Sequence, residues 1–229
     1  GSMPHEFPGY RHVSDDATRA LFETAWGRPL SNEPGLRIPN MLDLAGEGRF
    51  KALYCVGEDI AQSDPDTQHV THALESMECV IVQDLFLNET AMYAHVFFPG
   101  ASFLEKSGTF TNAERRISPV RRVMAPKNGP KVDGKQAIGY EDWEITTKFS
   151  AALGYPMHYS HASEIMDEIA ALTPTFKGVS FKKLDELGSI QWPCDDENPT
   201  GTPTMHIDEF VRGKGKFFIT QYVPTTEKV

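Results

Sequence analysis

Carboxylate, amide and lysine side chains gather where the apolar runs of this sequence stop. Gly57, Glu58 and Asp59 close the run 51–56, Gln83 and Asp84 close Cys79-Val80-Ile81-Val82, and Lys106 follows His95-Val96-Phe97-Phe98 and its Pro99-Gly100 stop. A carboxylate at such a position can accept hydrogen bonds from ribose hydroxyls or from the N–H groups of a base. A glycine there lets a ligand approach the backbone closely, and a lysine adds a mobile positive charge. The phosphate fingerprint G-x-G-x-x-G is absent, so an ordinary dinucleotide site loses ground. Each residue also has a plainer reading: Glu58 and Asp59 as loop decoration, Lys106 as a solvated lysine, Ser63-Asp64 as a capping pair.

These groups need strands to carry them. Residues 51–56 and 79–83 are short, apolar and rich in β-branched or aromatic side chains, which predicts buried strands. Between them Val70, Ala73, Leu74 and Met77 fall on one helical face, with Asp64 as N-cap and Pro65 at the first helical position, so 51–83 reads as a parallel βαβ unit. A short helix over 88–93 and a strand over 95–98 repeat the alternation. In an open parallel sheet, ligands sit beyond the carboxyl ends of the strands, in the crevice where strand order reverses. That places the two acidic strand ends together, and a phosphate at the N-terminus of the helix beginning near Asp64.

Around this core the punctuation predicts an irregular entry over 4–14, then a helix capped by Asp15 or Asp16 and closed by Gly27. A short helix follows, capped by Asn40. Residues 109–123 hold one short strand, and the Pro- and Gly-rich stretch 124–139 is a long surface loop. A helix opened by Glu141 turns Ile145, Phe149, Ala152 and Leu153 inward; further helices are capped by Ser163 and span 181–187. Residues 206–210 and 216–220 pair as a hairpin turning over Arg212–Gly215. The fold class is α/β: a Rossmann-like layered domain with a mostly parallel sheet flanked by helices, plus a C-terminal helical segment and hairpin. It forms one domain over 4–229, with the core sheet over about 50–123, the helical part over about 140–190 and an extension over 191–229. Gly1-Ser2-Met3 reads as a cloning remnant.

With 22 basic against 32 acidic residues the chain carries a formal charge of −10, which argues against general nucleic-acid binding. The local exception, Arg115, Arg116, Arg121 and Arg122, is expected to make salt bridges to a neighbouring domain, although it could also clamp phosphates. No apolar run approaches the roughly 20 residues that cross a bilayer, no signal peptide is visible, and a cytoplasmic location is expected. Cys55 and Cys79 lie in strand runs and read as small hydrophobes, and Cys194 falls in a loop with no activating neighbour evident. The pairs His69/His72 and His158/His161 lack a third ligand nearby.

The order Val-Gln-Asp, a helix, a strand ending in Pro, then Glu-Lys-x-Gly-x-Phe-x-Asn-x-Glu-Arg-Arg resembles the molybdopterin oxidoreductase family. Gly57-Glu58-Asp59 with Gln62-Ser63-Asp64, and Leu187-Gly188-Ser189-Ile190-Gln191-Trp192-Pro193-Cys194, are most similar to formate dehydrogenase catalytic subunits. The resemblance runs from about Phe7 to nearly the C-terminus and implies a site for one of two molybdopterin guanine dinucleotides. The cofactor contacts it implies are Gly57, Glu58, Asp59, Ser63, Gln83, Asp84, Lys106 and Asp142. On residues alone, Asp142 is a first-turn carboxylate that stabilises its helix regardless.

The family's metal-bound Cys or selenocysteine, its His and Arg near substrate and its iron–sulfur cysteines have no counterpart here: there is no Cys-His dipeptide and no C-x-x-C. The resemblance therefore implies a middle piece that is inactive alone and holds no catalytic residue or metal ligand. Its implied partners are the remaining domains and electron-transfer subunits, with molybdenum or tungsten, iron–sulfur clusters and formate belonging to the whole enzyme. A pterin-free scaffold of a respiratory-complex subunit, or a relative such as nitrate reductase, is the alternative.

Overall fold

The computed structural model describes residues 3–126, 128–132, 135–210 and 213–224, with side chains omitted over 128–132 and 135–138. The entry segment is a minimal hairpin: β1 (Glu6–Phe7) pairs antiparallel with β2 (Arg11–His12). Gly9 and Tyr10 between them hold φ of 83° and 58°, the conformation tight hairpin turns require. In α1 (Asp16–Trp26), Asp15 accepts from Thr18 N at 2.6 Å and Gly27 ends the helix at φ 62°. Its buried Phe22 stacks on Phe7 at 4.8 Å between ring centroids.

α2 (Ile38–Gly46) starts earlier than an Asn40 cap would allow, because Pro39 sits in the first turn, where its missing N–H costs nothing. β3 (Ala52–Val56) leads into a single turn, α3 (Ile60–Ser63), and then α4 (Thr67–Ser76). The cap of α4 is Asp66, accepting from His69 N at 3.0 Å; Asp64 is spent ending α3. β4 (Cys79–Asp84), a 3-10 turn over Thr90–Tyr93 and β5 (Val96–Pro99) follow. The three strands form a parallel sheet in the order β3-β4-β5, with Tyr54 opposite Ile81 and Gln83 opposite Phe98. Strand order does not reverse within it, so the carboxyl rim exists without the expected crevice.

Alternation along the strands gives the sheet two different faces. Val80 and Val82 are fully buried in a core with Leu42, Val70 and Leu74, which seats α2 and α4. On the opposite face Tyr54 and Phe98 meet Phe149 at 5.2 and 5.7 Å between ring centroids.

Between Gly100 and Tyr140 the chain leaves the parallel sheet. Where one strand was expected there are two, β6 (Gly108–Thr111) and β7 (Arg116–Val120), antiparallel and turned over Asn112–Arg115, with Arg115 at φ 65°. The expected loop over 124–139 contains another pair, β8 (Asn128–Val132) and β9 (Lys135–Ile138). Its Asp133-Gly134 connection, a sequence signature of two-residue hairpins, lies outside the described residues. The chain returns through a parallel bridge of Tyr140 to Gly100, with Tyr140 N donating to Pro99 O at 3.2 Å and Ala101 N to Tyr140 O at 2.8 Å. A Cβ on Gly139 would lie 2.9 Å from Gly100 O, so only glycine permits this approach.

α5 (Asp142–Ala152) buries Ile145, whereas Leu153 lies past its last turn and is exposed. α6 (Ala162–Leu172) is capped by His161, whose Nδ1 accepts from Ser163 N at 3.1 Å, two residues earlier than the Ser163 cap expected. α7 (Phe181–Leu187) has Ser180 as cap and Gly188 as stop. β10 (Ile190–Gln191) pairs antiparallel with β7, and a second core forms from Ile117, Met166, Val179, Leu184, Ile190 and Cys194. Cys194 is thus a core side chain, its thiol pushed up chiefly by burial. The expected C-terminal hairpin does not form among the described residues, and Arg212 of its turn lies outside them. Phe217 and Ile219 are fully exposed there, and an isolated two-stranded hairpin with no apolar surface to cover is marginal in water. No described helix is long and apolar enough to cross a membrane.

Candidate functional site

The carboxyl ends of β3 and β4 are tied together by Gly57 N donating to Gln83 O at 2.9 Å. Gly57 then turns at φ 62°, and nothing lies within 4 Å of where its Cβ would be, so the elbow is open on the ligand side. Cys55 reports what surrounds this end. Its buried thiol is pushed up to about 11, first by burial and then by Glu58, Asp84 and Asp59 in that order. The carboxylates of both strand ends thus raise the same thiol.

That shift has a direct consequence. The thiolate is the reactive form, so Cys55 is expected to resist iodoacetamide at pH 8 while half-buried Cys79 is alkylated. Folding holds Cys55 as the thiol, so its stabilising effect is complete below about pH 9 and lost as pH rises through about 11. Peptide mass mapping across this range checks it; equal labelling of Cys55 and Cys79 at pH 8 would contradict the placement.

Each carboxylate also has protein partners. Ser63 Oγ donates to Glu58 Oε1 at 2.6 Å. Asp59 Oδ1 accepts from Thr90 N at 3.0 Å and Thr90 Oγ1 at 2.6 Å, and its Oδ2 from Glu89 N at 3.3 Å. One oxygen of Asp59 is therefore saturated by the 3-10 turn, and the other keeps a lone pair. Asp84 accepts from Leu85 N at 2.6 Å and Asn88 Nδ2 at 3.0 Å. Thr90, fully buried and accepting in turn from Ala61 N at 3.1 Å, holds the rim together and carries no sequence signal beyond its polarity.

A second group joins the parallel sheet to α5. Tyr54 Oη hydrogen-bonds Gln83 Oε1, Gln83 Nε2 donates to Asp142 Oδ1 at 2.9 Å, and Lys106 Nζ donates to Asp142 Oδ2 at 2.5 Å. Burial, and then Asp142, hold the Tyr54 hydroxyl above its ordinary value. Gln83 is 2% exposed, and both ends of its amide are engaged, by Tyr54 and by Asp142. Lys106 also lies over the Phe110 ring, 5.8 Å from its centroid, beside a cavity of about 230 Å³ between the β6–β7 hairpin and α6.

Next to Asp142, buried Glu141 accepts from Arg122, from Trp143 Nε1 at 2.8 Å and from Ser107 N at 3.3 Å. It also forms a capping box with Glu144, whose Oε2 accepts from Glu141 N at 2.9 Å. The Glu-x-x-Glu spacing at this helix start was its available signal.

The arginine cluster finds its partners inside the chain. Arg121 meets Asp185 at 2.6 Å, Arg116 meets Ser189 Oγ at 3.1 Å, Arg122 meets Glu141, and Arg115 donates to the carbonyls of Trp192, Thr202 and Pro203. All four arginines thus have partners within the chain, and Arg121 and Arg122 keep 69% and 45% of their side-chain surface exposed. Among the described residues no three His, Cys, Asp or Glu side chains are grouped to hold a metal. The helix expected to meet a phosphate begins at Thr67, three residues after Asp64, and its cap Asp66 accepts from His69 N.

The rim is thus rich in acceptors, with one lysine on its flank. That acceptor set fits the base and ribose of a guanine nucleotide, whose N–H and O–H groups are donors, better than it fits a diphosphate.

The molybdopterin oxidoreductase family model matches residues 2–150. Over 231 residues the chain is 41% identical to the F420-dependent formate dehydrogenase subunit alpha of Methanocaldococcus jannaschii, covering 99% of this chain and 32% of that protein. It is 37% identical over 234 residues to formate dehydrogenase H of Escherichia coli, covering 100% of this chain and 32% of that one. The chain therefore spans about a third of the length of these relatives. Acetylene hydratase from Pelobacter acetylenicus shares the fold with a TM-score of 0.53 at 14% identity, over 77% of this chain and 24% of that one.

Proposed function

The chain belongs to the molybdopterin oxidoreductase family, and from that premise we propose that it is the part of a formate dehydrogenase alpha subunit that cradles one molybdopterin guanine dinucleotide. One observation carries the reading: Asp59 and Asp84, at the ends of two adjacent parallel strands, both bind the turn at residues 88–90, and Glu58 follows the open elbow of Gly57. Asp84, Glu58 and the free oxygen of Asp59 accept from guanine and ribose, Ser63 orients Glu58, and Gln83 orients Asp142. Lys106 supplies the positive charge. When bound, the cofactor supplies the sulfur ligands for molybdenum or tungsten, where the complete enzyme oxidises formate to carbon dioxide with release of a proton and two electrons.

This chain's residues bind and orient; none is proposed to act on formate. The metal-binding and substrate residues, the iron–sulfur clusters and the electron-transfer subunits belong to other parts of the assembly, which we place in the cytoplasm. The relatives' names favour formate over nitrate. The resemblance of the segment Ile190–Cys194 to formate dehydrogenases points the same way, and Ile190 and Cys194 also serve the second core.

A pterin-free scaffold is the competing reading, favoured by the protein partners that Asp59 and Asp142 already have. Titrating the 229-residue chain with GDP, and separately with ADP, decides between them by NMR. Saturable shifts for GDP at residues 57–63, 84, 106 and 142, exceeding those for ADP, are expected. The affinity will be weak, because a site completed by other domains loses preorganisation. Absence of any saturable change at millimolar GDP would favour the scaffold.

A further inference from the structure

Asp142 stands on the first turn of α5, and its orientation is set from the opposite layer. We infer that Tyr54 is a positioning residue of the rim, acting through the buried amide of Gln83 to fix Asp142 and, with it, the ammonium of Lys106. The inference rests on the reading that Lys106 and Asp142 meet the nucleotide.

The direction of the chain follows from what each group can donate. An ionised carboxylate only accepts, so Asp142 requires the Nε2 end of Gln83. The Oε1 end then needs a donor, and the Tyr54 hydroxyl is there to provide it. With Gln83 inverted, its carbonyl would face the carboxylate, a repulsion made worse by burial. Tyr54 thus selects the amide orientation that leaves Asp142 held from one side by Gln83 and from the other by Lys106. One ammonium proton is used there, leaving two donors for a ligand.

Tyr54 is itself held by ring contacts to Phe98 and Phe149. A phenylalanine keeps that packing and deletes only the hydroxyl. The ionisable groups around Asp142 are Lys106 before β6, Tyr54 on β3, Asp84 on β4, Glu141 and Glu144 on its own helix, and Arg122 through Glu141.

The test uses Tyr54→Phe and Gln83→Glu in the full 229-residue chain. In Tyr54→Phe the Gln83 side-chain NH2 signals should move and exchange faster, the Asp142 carboxyl carbon should shift, and GDP should bind about fivefold more weakly, the loss of roughly one hydrogen bond. In Gln83→Glu two carboxylates face each other at pH 7.

Lowering the pH toward 5 protonates the introduced carboxyl, whose affinity for the proton is raised by Asp142, and makes it a donor like the amide. The Asp142 signal and GDP affinity should then return toward wild type only in this variant, an effect that a purely structural role for Tyr54 and Gln83 would not produce. Unmoved Gln83 and Asp142 signals in Tyr54→Phe, or a Gln83→Glu pH profile parallel to wild type, would overturn the inference. If those signals move while wild type fails to bind GDP, the positioning role holds and the cofactor reading falls.

Discussion

Replacing Glu141 with alanine is expected to destabilise the chain by about 2–3 kcal/mol, more than any other single change at the rim. The carboxylate is 4% exposed and serves four donors or helix groups at once: Arg122, the Trp143 indole, Ser107 N and the first turn of α5. Removing one partner of a wholly buried ion pair costs about 3–5 kcal/mol. Arg122 is 45% exposed and can rehydrate, which moderates the loss. The indole N–H and Ser107 N cannot be satisfied as easily. Urea unfolding measures the difference, and Glu141→Gln should recover part of it. A loss under about 0.5 kcal/mol would show that Glu141 is not structural, since surface changes stay in that range.

Lys106→Glu is expected to weaken GDP binding by about a hundredfold or more, equivalent to about 2.7 kcal/mol. The change removes the positive charge that balances Asp142 and sets a second carboxylate against it, on a flank where Asp84, Glu58 and Asp59 already make the potential negative. Lys106→Met, which keeps the stem over Phe110, should lose about tenfold through loss of the charge alone. The two values separate repulsion from lost attraction. Equal and small effects in both, measured by the same titration used for wild type, would remove Lys106 from the site.

The parts of this fold legible in the sequence are those written by periodicity and by local chemistry. The runs 52–56, 79–84 and 96–99 pair in parallel as read, Val70, Ala73 and Leu74 are buried together, and Gly27 and Gly188 end their helices. Errors arose where two local signals compete. Asp64 and Asp66 are both good caps, and only the intervening turn α3 decides for Asp66. Asn40 is a good cap by type, but the first helical turn admits Pro39 before it and the helix starts at Ile38.

The stretch 108–138 contains two hairpins whose strands are short and hold few apolar residues among polar ones, glycine and proline, so apolar alternation could not reveal them. At the site, residue type located the strand ends, but it could not separate Gln83, which is buried and works on its neighbours, from Asp84 beside it. Nor could it foresee Thr90 and Tyr54, whose roles depend on partners more than twenty residues away in sequence.

The bridge between Gly100 and Tyr140 makes everything between them a closed excursion that departs from and rejoins the sheet at one place. For a flexible segment, closure entropy grows only logarithmically, so doubling its length costs about 0.6 kcal/mol. An insertion at the β8–β9 tip is therefore expected to cost little stability. The seam itself is not negotiable in the same way: Gly139 has no space for a side chain, and the bridged Tyr140 beside it sets the phase of Glu141 and Asp142. Size can drift freely at the tip while the point of return stays fixed to the residue.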